Sequence, residues 1–482
     1  MPLPRRLILA GPAVAAVGLA ILWPLSAYAF NPVLLPAMIV VAGAGVLILW
    51  RPEYGIALAL ALSPLLDAHL SVPAGANIAL PQKPFEFLLP ATLGAVLVYG
   101  ILIARDERRA DRPRLAAAVP LFIGAGLLSS LFALDPSQTV TKVFLLVTAL
   151  TVFLGVFQIC RDRDQLTVIV AGVVVAVLIA GLQGILQQLN GQYSTEGFIV
   201  NGQFVGRVQG SFGHPNQYGG FLAVLIPVAA AVCLARGFPR RLRWLAGFAV
   251  LAAIPALNYS YARGAIGGLI IGSLIWLLVF KPKAALFVVS SVVIVALVVA
   301  PVKLKDRFST QDQAGSVGIR ADIWGAALDI YSERPLLGVG PDNFPVAYRG
   351  LPSTLANASQ RQLLHNELLL IPPYAQNLYL NVLAEEGLVG IVALVLLLAY
   401  GISTAYRGCK LSDPRARTLG FGLGVAMMTL IIHSFVEVTL TTALMLPLFG
   451  LLATMTVWLW VEREEPVPVA RRAPARLEPS RP

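Results

Sequence analysis

Ala375-Gln376-Asn377-Leu378-Tyr379-Leu380-Asn381-Val382-Leu383-Ala384-Glu385-Glu386-Gly387 is where the chain changes character. Behind it runs the one long polar interval, from Lys303 to Glu386, and ahead of it an apolar segment near 387–406. About 20 such residues cross a 30 Å hydrocarbon core, so the run ends at a membrane span. Loops beyond about 12 to 15 residues are usually functional or disordered, so the interval behind it is more than a passive connection. The rest of the chain is read as carrying and facing this loop.

Outward from it, spanning segments recur near 7–28, 32–50, 54–70, 85–104, 115–134, 140–160, 166–189, 217–235, 242–260, 264–280, 284–302, 416–436 and 441–461, with Pro64 and Asp67 interrupting the third. With 57% hydrophobic residues, 13% charged residues and a mean hydropathy of +0.77, the chain is not an ordinary soluble protein, in which about a quarter of residues are charged. The expected fold is all-α, a polytopic integral membrane protein of 12 to 14 helices with a large, partly helical outward loop. Residues 1–189 would form N-terminal transmembrane helices, 190–461 a second transmembrane region that includes the loop, and 462–482, rich in Pro, Arg and Glu, a disordered cytoplasmic tail. The N-terminal segment, Arg5-Arg6 followed by Leu7 to Ala29, reads as an uncleaved first helix because another apolar run follows at once.

The net charge of +11 serves orientation first, and nothing resembles the aromatic-interleaved basic patches of nucleic-acid modules. Most Lys and Arg residues fall on the side shared by both termini, which the positive-inside rule makes cytoplasmic. The basic residues of the other side cluster: Arg207 in the 190–216 loop, Arg263 at the mouth of two spans, and Arg320, Arg334, Arg349 and Arg361 in the long loop. Clustering against the rule is a functional signal. Cys160, Cys233 and Cys409 lack metal or paired spacing and read as free thiols in a reducing compartment.

Four outward elements carry chemistry. In Gly206-Arg207-Val208-Gln209-Gly210-Ser211-Phe212-Gly213-His214-Pro215-Asn216 the glycines permit a tight turn, Pro215 bars a helix before Asn216, and Asn216 is placed to cap the next span. In Tyr261-Ala262-Arg263-Gly264-Ala265 a guanidinium lies where it is costly unless it serves a site, and it suits a phosphate better than a snorkelling role. Ile319, Ile323, Ala327 and Ile330 recur at helical spacing, which places Arg320 and Trp324 on one face of a helix ended by Pro335. The run at 375–387 offers the amides of Gln376, Asn377 and Asn381 with Tyr379 beside them; alone it reads as a capped interfacial helix.

Together, Gly210 to Asn216, Tyr261 to Ala265, Arg320 with Trp324, Gly338-Val339-Gly340 with Phe344, and Asn377 to Gly387 resemble the O-antigen ligase and polymerase family of bacterial membrane proteins, over roughly residues 200 to 450. The resemblance implies a metal-independent, cofactor-free glycosyltransferase at the outer face of the cytoplasmic membrane, with both termini cytoplasmic. The implied donor is a glycan on undecaprenyl (polyprenyl) diphosphate, and the acceptor a saccharide or lipid A core, in O-antigen, lipopolysaccharide or other cell-surface polysaccharide assembly. Arg263 and Arg320, with Arg207 as a third, would hold the donor diphosphate, where fixed guanidinium groups stabilise leaving-group charge without reorganisation; His214, Asn216, Trp324 and Tyr379 would shape the site.

One position departs from the family. Gln376 stands where histidine is usual, and it cannot act as a base near neutral pH. His365 is the first substitute and His433 the second, with Glu437 at i+4 to orient the imidazole; Gln376 and Asn377 would position the acceptor, and His69 is idle. The outward loops show no zinc-ligand spacing and the cytoplasmic side no P-loop, so a metal site and ATP-driven transport lack support. The alternatives are a transporter of a small anion such as bicarbonate or of a lipid-linked glycan, and a non-catalytic assembly partner.

Overall fold

The computed structural model describes residues 51–66, 114–200, 203–283, 312–351 and 372–464. The spans expected near 7–28, 32–50, 85–104 and 284–302 lie outside the described residues, as do His69 and His365. The fold is all-α. Its helices are α1 (Pro52–Leu62), α2 (Ala118–Ser130), α3 (Pro136–Ile159), α4 (Arg163–Leu189), α5 (Pro215–Leu234), α6 (Arg240–Tyr259), α7 (Arg263–Phe280), α8 (Asp312–Glu333), α9 (Phe344–Gly350), α10 (Leu378–Gly408), α11 (Pro414–His433) and α12 (Thr442–Glu464). Among the described residues, eight of these are long and apolar enough to cross a membrane.

Local chemistry explains the boundaries. Asp135 and Asp162 cap α3 and α4 by accepting bonds from the first free backbone N–H groups, and Pro136 and Pro414 open their helices where no N–H donor is needed. The interruption expected at Pro64 appears: α1 stops at Leu62 and a single tight turn, Ser63–Leu65, follows. The expected span at 115–134 is shorter than read, a turn at Arg114–Ala117 feeding the 13-residue α2. After Ser130 the backbone bonds elsewhere, with Leu134 N donating to Val339 O at 3.1 Å.

The interval at 190–216 is more ordered than the loop expected for it. Strands β1 (Ser194–Val200) and β2 (Gln203–Arg207) pair antiparallel. Phe198, Ile199, Val200, Phe204 and Val205 are of the β-branched and aromatic types that such strands favour.

Lipid is as apolar as leucine, so the bundle needs close backbone approach rather than hydrophobicity alone. Glycines provide it. A Cβ on Gly181 of α4 would lie 2.8 Å from Ala253 N of α6, and one on Gly272 of α7 would lie 2.7 Å from Thr429 N of α11. Leu182, Phe248, Leu251, Ile271 and Val395 remain exposed on the outer faces of these helices, as a lipid-facing belt requires. The alternation of the spans brings the C-termini of α4, α6 and α11 and the N-termini of α5, α7, α10 and α12 to one end of the bundle.

At that end α10 is bent. Gly387 sits at φ +65°, and a Cβ there would lie 2.4 Å from the carbonyl carbon of Leu336. Only glycine fits an elbow against which another backbone is pressed. The short arm 378–386 is thereby set off from the span that follows, and the segment 335–341 crosses the bend with Leu388 N donating to Pro335 O at 2.8 Å and Gly340 N to Glu385 O at 2.9 Å.

Candidate active site

The floor of the site is His433, the last residue of α11. It is buried in a corner that glycines leave open: a Cβ on Gly220 of α5 would lie 2.9 Å from its Cε1, and a Cβ on Gly264 of α7 would lie 3.3 Å from its Cδ2. Its Nδ1 is 2.9 Å from Thr439 Oγ1, and its Nε2 has no hydrogen-bond partner among the described residues. The expected pairing of His433 with Glu437 does not form. The helix ends at His433, so i and i+4 no longer share a face, and Thr439 orients the imidazole instead. Glu437 is itself buried; one carboxylate oxygen accepts from Val438 N and the other, Oε2, has no partner among the described residues.

One wall is the turn that follows β2. Arg207 donates from Nε to Ser260 O at 2.8 Å and from Nη2 to Asn216 Oδ1 at 2.5 Å, tying the end of α6 to the start of α5. Gln187 of α4 clamps the turn from below, accepting from Gly210 N and donating to Gly210 O. The cap of α5 is His214 rather than the expected Asn216: its Nδ1 accepts from Asn216 N at 3.0 Å, and Pro215 opens the helix. Proline needs no partner at the first helical position, so the helix starts two residues earlier than read. The cap commits the lone pair that a general base would use, and the ring meets Tyr374 edge-on at 6.4 Å.

Beside that wall, Tyr261 adopts φ +50° and hands the chain to Arg263, the first residue of α7. Arg263 is exposed, and its side chain has no partner among the described residues. A left-handed tyrosine two residues before a guanidinium without a partner among the described residues is strain of the kind that gathers at functional sites.

The roof comes from α8 and the arm of α10. The helix expected from the spacing of Ile319 to Ile330 is there, and Ile323, Ala327 and Ile330 pack against Phe344, Val339 and Ala384. Arg320 Nε donates to Gln376 Oε1 at 3.2 Å, and Gln376 holds φ +49°. Leu378 N donates to Ser434 O at 2.9 Å, next to His433, which ties the arm of α10 to the end of α11. Trp324 Nε1 is buried without a partner among the described residues. Asn377 caps α10, accepting from Tyr379 N and Leu380 N, and its Nδ2 donates to Phe435 O; Tyr379 OH donates to Ile431 O at 2.8 Å. The start of α10 is therefore pinned to the end of α11.

Asn381, one of the amides expected to carry chemistry, instead supports this roof together with residues given no role above. Asn381 and Glu385, at i and i+4 from each other, are bonded at 2.9 Å and buried. Glu385 Oε1 also accepts from Phe344 N, while Ser129 Oγ reaches Glu385 O and Leu337 O, each at 2.7 Å. Asn343 donates to Thr139 Oγ1 and accepts from Asp135 N, both at 2.6 Å. The repeat Asn377, Asn381, Glu385 along one helical face was the available signal.

The structure thus brings Arg207, His214, Asn216, Arg263, Arg320, Trp324, Gln376, Asn377, Tyr379, His433 and Glu437 to one end of one bundle, on the floor, wall and roof described above. No curated protein matches the chain. Residues 248–395 match the family model described as O-antigen ligase, a segment that holds Arg263, Arg320, Gln376 and Asn377. The chain is thus a multi-pass membrane protein with a segment, residues 248–395, that is similar to the O-antigen ligase family.

Proposed function

We propose that the protein transfers a glycan from a polyprenyl diphosphate donor to a saccharide acceptor at the outer face of the cytoplasmic membrane, without a metal. The observation that carries this reading is two guanidinium groups at the end of the bundle that holds a buried imidazole. Arg263, without a side-chain partner among the described residues, precedes the Gly264 that packs on His433, and Arg320 is bonded to Gln376 at the start of the arm that is pinned beside His433. Cleaving the sugar–phosphate bond builds charge on the diphosphate, and fixed guanidinium donors stabilise that charge more than they stabilise the ground state.

The acceptor oxygen forms its bond to the anomeric carbon as the bond from that carbon to the phosphate oxygen breaks. Polyprenyl diphosphate leaves onto Arg263 and Arg320, and the acceptor proton passes to His433 Nε2, which is the accepting nitrogen when Nδ1–H donates to Thr439. Glu437 Oε2, four residues on from His433, is buried without a partner among the described residues and is left open for the acceptor. Arg207, with its bonds to Ser260 and Asn216, holds the wall and adds field to the diphosphate site. Gln376 and Asn377 position the acceptor, and His365 is the second candidate for the proton. The cluster faces outward on this reading, because the basic residues near 161–163, 236–243 and 407–417 lie at the other end.

The test is release of polyprenyl diphosphate and growth of the acceptor in proteoliposomes loaded with native donor, with and without EDTA. Equal transfer in both supports the reading. Transfer abolished by EDTA would overturn the metal-free step, and no transfer by inserted protein would favour the transporter or partner roles.

A further inference from the structure

Gln376 meets Arg320 only because its backbone is held at φ +49°, a conformation that L residues rarely adopt unaided. Something must hold it. The residue before it, Ala375, is fully buried, and its N–H donates to Asn381 Oδ1 at 3.0 Å. That bond fixes which end of the Asn381 amide faces Ala375, so Nδ2 points the other way and donates to Glu385 Oε2 at 2.9 Å. Glu385 Oε1 accepts from Phe344 N at 3.1 Å. The far end of the line is rigid, because Phe344 is fully buried and Asn343 beside it is bonded to the start of α3.

The chemistry of position 385 follows from its partners. Two N–H donors converge on it, and only a carboxylate offers an acceptor to each; an amide would set its own N–H against one of them. We propose that Glu385 is a positioning residue for the transfer reaction, holding through Asn381 the backbone turn at Ala375 that presents Gln376 to Arg320. The inference rests on the proposed function for its kinetic consequence and on the hydrogen bonds alone for its structural one.

A swap tests it. In Glu385→Gln the new amide N–H faces the Asn381 amide N–H; in Asn381→Asp two carboxylates face each other. In the double variant the carboxylate introduced at position 381 accepts from Ala375 N and from the amide introduced at position 385. The oxygen of that amide accepts from Phe344 N, so the whole line is bonded again, with the polarity between positions 381 and 385 reversed. Misplacing a reacting group by about 1 Å costs up to about 100-fold, so each single variant is expected to lose about tenfold or more in kcat with donor KM within about twofold. The double variant is expected to recover to within about threefold of the parent, as groups acting as one unit do.

Amide hydrogen exchange over residues 373–378 reads the turn without substrate. Faster exchange in both single variants, with protection restored in the double, supports the proposal even if the parent shows no transfer, in which case the functional reading falls alone. Unchanged exchange in the single variants, or a double variant no better than the worse single, overturns it. So does a fall in thermal stability with kcat per folded protein unchanged.

Discussion

Two polar clusters share one end of the bundle, and they differ in how completely their groups are bonded. Along the elbow of α10, Asn343, Thr139, Asp135, Ser129, Asn381 and Glu385 close on one another or on backbone groups. Over α11, among the described residues, Arg263 has no partner, and Trp324 Nε1 and Glu437 Oε2 are buried without one. Leaving a buried polar group unbonded costs about 1–3 kcal/mol, so a fold tolerates several together where a ligand completes them. We read the closed cluster as the support that holds the backbone around the candidate site, and the open one as the candidate site itself. Glu386 is the exception on the scaffold side, since its Oε2 is also unbonded among the described residues.

The contrast is broken most easily at the arginines. Removing one preorganised donor from developing charge costs about 100- to 1,000-fold in kcat, and Arg320→Ala and Arg263→Ala are each expected to fall in that range, with insertion and thermal unfolding unchanged. Loss of folding in either would move that arginine to the scaffold. Positioned proton transfer contributes about 100-fold or more, so His433→Ala is the next largest effect, read as a fall in kcat at constant donor KM. An unaltered rate would hand the role to His365.

On the scaffold side the readout inverts. Gly387→Ala puts a Cβ against Leu336 and holds alanine at φ +65°, a strain of about 1–3 kcal/mol before any clash is counted, so the unfolding midpoint falls. Asn343→Ala strands Asp135 N, while Thr139 keeps its bond to Pro341 O, and is expected to cost about 2 kcal/mol with transfer per folded molecule near that of the parent. A rate loss in Asn343→Ala without a stability loss would make Asn343 part of the line that positions Gln376 rather than support alone. Asn216→Ala has the smallest expected effect on transfer, because Arg207 keeps its bond to Ser260 O. It removes one bond to Arg207, worth about 1.5–3 kcal/mol for a charged donor at most, and sharpens the comparison by showing whether the wall is scaffold or site.

Much of this was legible in the residues. Apolar length located α3 to α7 and α10 to α12, because a 20-residue span is a property of local composition. The spacing of Ile319 to Ile330 gave α8, and the outward basic residues pointed to the site. What was hidden depends on contacts between distant segments. Nothing local says that Thr439 rather than Glu437 would orient His433, since that turns on α11 stopping at His433. Likewise nothing local says that Glu385 would accept from Phe344 N, 41 residues away. His214 as a cap was missed because a histidine ring nitrogen is an uncommon substitute for the oxygen of Ser or Asp.

The most direct measurement is glycan transfer in membranes carrying native polyprenyl diphosphate donor, with the parent, Arg263→Ala, Arg320→Ala and Asn343→Ala compared at equal inserted protein. Transfer lost in both arginine variants and retained in Asn343→Ala is the expected result. Undiminished transfer in both arginine variants would contradict the assignment of the open cluster to the diphosphate.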